Sequence, residues 1–153
     1  MSRAPIVMLL ALLLGACASG PPGPAPLDTR NDACFFCRMA ASDPRFAAQI
    51  VAPGEEPRFF DDVGCLASYV KGKHGALRKE ALAYVADHRT KAWVPAKRAV
   101  YTRVEGLQTP MGSHVVAHSD AASRAADPEA RGGAPMTAGE LFGPGGPPAG
   151  ERP

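Results

Sequence analysis

Apolar and polar positions alternate along Phe46 to Val51, which predicts a strand, and Pro53 to Pro57 has hairpin chemistry leading to a second strand at Arg58 to Phe60. Asp61 and Asp62 then cap a helix whose apolar positions Leu66, Tyr69 and Val70 recur at helical spacing. The helix ends near Gly72 to Gly75, and a strand follows at Ala81 to Ala86. The order strand, strand, helix, strand then returns. Trp93 to Val104 is one long alternating stretch, Ser113 to His118 a short strand, and Ser119 and Asp120 open an alanine-rich helix through Ala126. A short segment follows at Ala134 to Met136, and Thr137 to Glu140 is a capping-box pattern that opens a last helical turn. Aligning Phe59-Phe60-Asp61-Asp62 with Ala117-His118-Ser119-Asp120 puts the two helices in register. The expected fold is α+β, two related ββαβ-like units packed as one small domain.

Low-complexity ends bound that domain. Arg3, the apolar run Ile6 to Leu14 and the small-residue ending Leu14-Gly15-Ala16-Cys17 have the layout of an export signal, and the run is shorter than the ~20 residues a spanning helix needs. The ending resembles a bacterial lipobox, which implies cleavage before Cys17 and lipid attachment there. Residues 1–16 are thus read as a lipoprotein signal, 17–30 as a lipid-anchored Pro/Gly-rich linker and 143–153 as a disordered tail. The domain is 31–142, with halves of about 31–90 and 91–142. The expected location is a membrane-anchored lipoprotein facing the periplasm, on either membrane.

Charge changes little. The chain has 17 basic and 15 acidic residues, and the leader carries one of the basic ones, Arg3. No basic run is interleaved with aromatics, so nucleic acid is a poor partner. Lys71, Lys73, Arg78 and Lys79 read as solvated surface, as do His74 and His88.

The chemistry lies in Cys34-Phe35-Phe36-Cys37-Arg38-Met39. Two thiols and a thioether within six residues make a soft donor set, which selects Cu(I). Arg38 occupies the place where haem attachment would want a histidine, and a zinc site would lack a second close ligand pair. Once Cys17 is consumed by lipid, Cys34, Cys37 and Cys65 remain, an odd number for a disulfide framework in an oxidising compartment. Cys65, near the start of the first helix, reads equally as ligand, buried filler or disulfide-exchange partner. If exposed there, its thiol pKa would be lowered. A second soft cluster, Thr109 to His114, contains Pro110 and Gly112, so a turn presents Met111. His114 is the expected auxiliary ligand, ahead of His118, which also fits simple alternation along a strand.

Together, Asp32 to Met39, Phe59 to Cys65, and Thr109 to Gly112 with its downstream alanine helix resemble the NosL family, the nitrous oxide reductase accessory lipoproteins, over about residues 31–142. The resemblance implies two ββαβ-like halves, one Cu(I) site, and delivery of copper for the copper centres of nitrous oxide reductase. It also implies a membrane transporter complex as a partner. By position it carries the family's ligand motifs onto Cys34, Cys37, Met39 and Met111. No nucleophile-base pair, HExxH or phosphate loop is present, so an enzyme is not expected. Two other readings stay open: a periplasmic thiol-disulfide oxidoreductase in which Cys34 and Cys37 cycle, and a structural lipoprotein with one disulfide.

Overall fold

A computed structural model describes residues 20–72 and 77–150. Cys17, the leader and His74 lie outside the described residues. No described helix is long and apolar enough to cross a membrane.

The described residues form two small antiparallel sheets and three α-helices. Strands β1 (Ala48–Val51), β2 (Arg58–Phe60), β3 (Leu82–Ala86) and β4 (Trp93–Pro95) make a sheet of order β2-β1-β3-β4. Strands β5 (Val100–Arg103), β6 (Val115–His118) and β7 (Ala134–Met136) make the second, of order β6-β5-β7. Helix α1 (Val63–Lys71) lies between β2 and β3, α2 (Ala121–Ala126) between β6 and β7, and α3 (Ala138–Phe142) closes the domain. In each half the first strand is central and pairs antiparallel with both the second and the third. The expected two ββαβ units are therefore present. Trp93 to Val104 is not one strand, however. Pro95 ends β4, where Arg98 N–H closes a turn onto its carbonyl, and β4 and β5 enter different sheets.

The caps are set by the sequence as expected. Asp62 accepts from Gly64 N–H at the start of α1, Asp120 accepts from Ser123 N–H at the start of α2, and Thr137 with Glu140 completes a capping box on α3. The two halves share one core: Phe60, Leu66 and Val85 from the first pack with Tyr101, Val115, Ala117 and Phe142 from the second. Where the linker is described, Gln49 exchanges side-chain hydrogen bonds with the Ala25 backbone, and the Tyr84 hydroxyl donates to the Pro22 carbonyl. The tail is likewise tied to β3, through Ala83 N–H to the Pro148 carbonyl and Gly150 N–H to the Ala81 carbonyl.

The duplication extends to a loop that precedes each unit. Cys34 N–H donates to the Met39 carbonyl (2.7 Å) and Arg38 N–H to the Cys34 carbonyl (3.0 Å). Asp87 N–H donates to the Ala92 carbonyl (2.8 Å) and Lys91 N–H to the Asp87 carbonyl (2.7 Å). Arg38 (φ 69°) and Lys91 (φ 63°) are both left-handed. Phe35 N–H bonds the Phe59 carbonyl and His88 N–H the Ala117 carbonyl, stitching each loop to the second strand of its unit. The Ala33–Ala40 bridge has its counterpart in the Ala86–Trp93 pair of β3 and β4. Position 34 thus corresponds to 87, 37 to 90, 61 to 119 and 65 to 123.

In the second loop the central atoms are oxygens. Asp87 accepts from the N–H groups of Arg89, Thr90 and Ser119 and from the Ser123 hydroxyl. Burial works to raise this carboxyl, but those donors win and hold it well below the ordinary carboxylate range. Asp87→Ala would strand these donors in the interior and is expected to cost about 2–4 kcal/mol, read from denaturant midpoints. Because the folded-state pKa is depressed, this stabilisation is full above the unfolded value near about 4 and is lost as pH falls through the folded one. The gap between parent and variant should therefore narrow in acid.

Candidate metal centre

In the first loop the same backbone hairpin carries thiols. The left-handed turn at Arg38 folds the loop so that Cys37 N–H points at the Cys34 sulfur, 3.4 Å away. Asp61 sits between the end of β2 and the cap of α1, and Cys65 lies on the first turn of that helix. The sulfurs of Cys34, Cys37 and Cys65 and a carboxylate oxygen of Asp61 all lie within 4.8 Å of one another. A cation with bonds of ~2.3 Å to sulfur holds pairs of sulfurs about 3.8–4.6 Å apart, so one ion can be shared by this set. All three cysteines are free thiols.

Their protonation is unequal. Cys34 is fully enclosed, yet its thiol is held down to about 4. The Cys65 thiol donating to it is the chief cause; burial opposes, and the N–H groups of Cys37 and Asp61 assist. Donating that proton, together with burial, pushes Cys65 far above the ordinary thiol range. Cys65 is not an exposed, activated thiol at a helix end: it is buried and gives its hydrogen bond to Cys34. Burial, with the negative charge of Cys34 and Asp61 nearby, pushes Cys37 up to about 11. Burial and the neighbouring Cys34 likewise push Asp61 up to about 6. Hydrogen bonding therefore favours the thiolate on Cys34, while burial and the neighbouring negative charge favour the thiols of Cys37 and Cys65. The Cys37 thiol faces Asp61 Oδ1 at 3.5 Å, so a carboxylate stands ready for the proton that a metal would displace.

A single side chain brings the distant Met111 turn to this end of α1. Asp62 Oδ1 accepts from Gly64 N–H (2.7 Å) and the Ser113 hydroxyl (2.5 Å); its Oδ2 accepts from the Thr109 hydroxyl (2.7 Å) and Met111 N–H (3.0 Å). Gly64 permits the approach, since a Cβ there would lie 2.5 Å from Ser113 Cβ. Met39 is 60% exposed and Met111 47%; with Phe35 and Phe36 they are the exposed large hydrophobic residues among the described ones. The Arg38 and Arg58 guanidinium carbons stand 5.3 and 5.2 Å from the centre of the Phe35 ring. His114, left-handed at φ 57°, donates from Nδ1 to the Leu107 carbonyl at 2.8 Å and is outside the four converging groups. Its Nε2 is thereby the nitrogen that keeps a lone pair.

Asp61 was legible in the sequence only as half of a capping pair. One aspartate suffices to cap, and the leftover carboxylate is the signal that a second role exists. His88 is a correction: it is 2% exposed, not solvated, and pairs with the buried Asp127. His118 is fully buried and bonds the same carboxylate, so neither faces the thiol cluster.

A family model, NosL, matches residues 24–142. No curated protein and no solved structure matches this chain.

Proposed function

We propose that this chain, which belongs to the NosL family, is an extracytoplasmic carrier of Cu(I), with Cys34 as its anchoring ligand and Cys37 and Met39 as further donors. Met111, Cys65 and His114 complete the candidate ligand set. The observation that carries this reading is the convergence of three thiols and a carboxylate within 4.8 Å of one another, with the surrounding hydrogen bonds favouring the thiolate on the most enclosed of them, Cys34. A soft monovalent cation finds a thiolate waiting, and thiols and thioethers beside it.

The exposed rim of Phe35, Phe36, Met39 and Met111 supports a handover role. Thioethers at the surface offer positions where an incoming ligand attaches before a resident one leaves. The proposed partners are a membrane transporter complex and, as recipient, nitrous oxide reductase or another cuproenzyme. Acylation at Cys17 would hold the carrier on the bilayer, facing the periplasm.

Thiol-disulfide exchange is the less favoured reading. An exchanger needs its low-pKa thiol accessible, whereas here Cys34 is the ionised one and is sealed. Anaerobic Cu(I) titration of the reduced chain, with X-ray absorption at the copper edge, tests the proposal. One equivalent with sulfur scatterers is expected. Met39→Leu/Met111→Leu should weaken Cu(I) binding by about tenfold, an effect of about 1.4 kcal/mol, without changing the thiol count. A fully reduced chain that takes up no stoichiometric Cu(I) would overturn it.

A further inference from the structure

The second half buries a different set of donors. His88 follows Asp87 in the repeated loop, His118 ends β6, and Asp127 both closes α2 and opens a 3-10 turn at Pro128–Ala130. Their exposures are 2%, 0% and 2%. Asp127 Oδ2 lies 2.6 Å from His88 Nδ1 and 2.9 Å from His118 Nε2, while Oδ1 accepts from Glu129 N–H. Burial works to raise this carboxyl, and the two imidazoles overcome it and hold it low.

The duplication sets what the other half has in these places. Position 88 corresponds to Phe35 and 118 to Phe60; counting along the helices from their Asp62 and Asp120 caps, Asp127 corresponds to Tyr69. In the first half those residues form an aromatic cluster, with Tyr69 centred 5.6 Å from Phe35 and 5.4 Å from Phe60. Packing is therefore satisfied by aromatics at this place in the fold. Replacing a well-packed apolar cluster by a buried polar one brings no gain in stability, so stability does not account for the histidines.

Hydrogen bonding does not close either. Both rings meet Asp127 through a donated proton, which leaves His88 Nε2 and His118 Nδ1 as buried lone pairs without a partner. His88 Nε2 also stands 4.0 Å from a Glu129 carboxylate oxygen, which repels a lone pair. A cation among the three inner atoms reverses this for His88, while His118 Nδ1 is without a partner in either arrangement. The inner nitrogens then give lone pairs to the metal, the protons sit on the outer nitrogens, and His88 Nε2–H faces Glu129, the partner that a metal-bound histidine ordinarily has.

We propose that His88 Nδ1, His118 Nε2 and Asp127 Oδ2 form a second metal site, for a divalent cation of borderline character such as Zn²⁺ or Cu²⁺, chemically separate from the thiol cluster. Imidazole and carboxylate suit such ions, where the thiols suit Cu(I). The three atoms lie within 4.8 Å of one another. Bonds of ~2.0–2.1 Å place donors about 3.3 Å apart, so the two hydrogen bonds need to open by less than about 1 Å. Glu129, half exposed on the 3-10 turn, marks the side from which an ion would enter.

The test uses the full chain with Cys34, Cys37 and Cys65 changed to Ser, titrated with Zn²⁺ by calorimetry and with Co²⁺ by absorption. One equivalent is expected, with visible Co²⁺ bands and no near-ultraviolet sulfur charge transfer. Adding His88→Phe/His118→Phe together with Asp127→Tyr, which installs the first half's own three residues and strands no buried carboxylate, should weaken Zn²⁺ binding by at least about a hundredfold and leave the melting temperature equal or higher. In the otherwise unchanged chain these three changes should leave Cu(I) uptake as it was. The same Co²⁺ spectra on the native chain separate sulfur from imidazole ligation, so the test stands even if the thiol-free chain folds poorly. No stoichiometric uptake outside the thiols, or uptake that survives the three changes, would overturn the proposal.

Discussion

Cys34→Ser is expected to lower Cu(I) affinity by about 10²- to 10³-fold, the share of one ligand in the ~10–16 kcal/mol that a four-ligand metal site yields. The change removes the thiolate already formed at neutral pH and substitutes a neutral, hard hydroxyl. It also removes the acceptor of the Cys65 thiol proton and of the Cys37 and Asp61 N–H groups. The fold should persist, because Asp87 closes the matching loop around oxygen atoms with the same backbone bonds. Competition against a Cu(I) chelator, with melting curves on both chains, separates lost affinity from lost structure. Affinity within tenfold of the parent would remove Cys34 from the ligand set.

Cu(I) affinity should climb about tenfold per pH unit between pH 7 and 9 for each thiol proton displaced. Cys34, at about 4, is ionised throughout this window and adds no slope. Cys37, pushed up to about 11, must release its proton to bind, so every unit of pH makes that release tenfold cheaper. The window also lies above the titration of Asp61, at about 6. Binding by Cys34 and Cys37 therefore gives a slope of one decade per unit. Recruitment of Cys65, whose thiol is held protonated by Cys34, would raise it to two. A flat profile would mean that no protonated thiol joins the metal, and the donors besides Cys34 would have to be thioether or imidazole.

Much of this architecture could be read from local signals. Asp62 and Asp120 announce their helices because a cap acts within three residues, and the alignment of Phe59–Asp62 on Ala117–Asp120 holds to the backbone bonds that Phe59 and Ala117 accept. What escaped was set by distant parts of the chain. His88 sits among Asp87, Arg89 and Thr90, a polar run that reads as surface; β6, Asp127 and the Phe46 ring, 5.0 Å away, bury it. Asp61 looked like a cap because its contact with Cys34 and Cys37 spans a hairpin closed elsewhere. The break in Trp93 to Val104 was signalled by Pro95, although alternation resumes so soon after it that the two strands read as one. The thiols were legible by type and spacing, but their unequal ionisation follows from which sulfur donates to which.

Enclosure differs across the thiol cluster, from sealed Cys34 and buried Cys65 to half-buried Cys37. Cys37 is the least enclosed of the three sulfurs, so an incoming ligand would meet its bond to a held ion before the bonds to Cys34 and Cys65. Bulky chelators would then extract it slowly however strong they are, whereas a shaped acceptor reaching past the rim would unload it quickly. Such a carrier protects its load by a difference in timing, without needing to outbid every competitor at equilibrium.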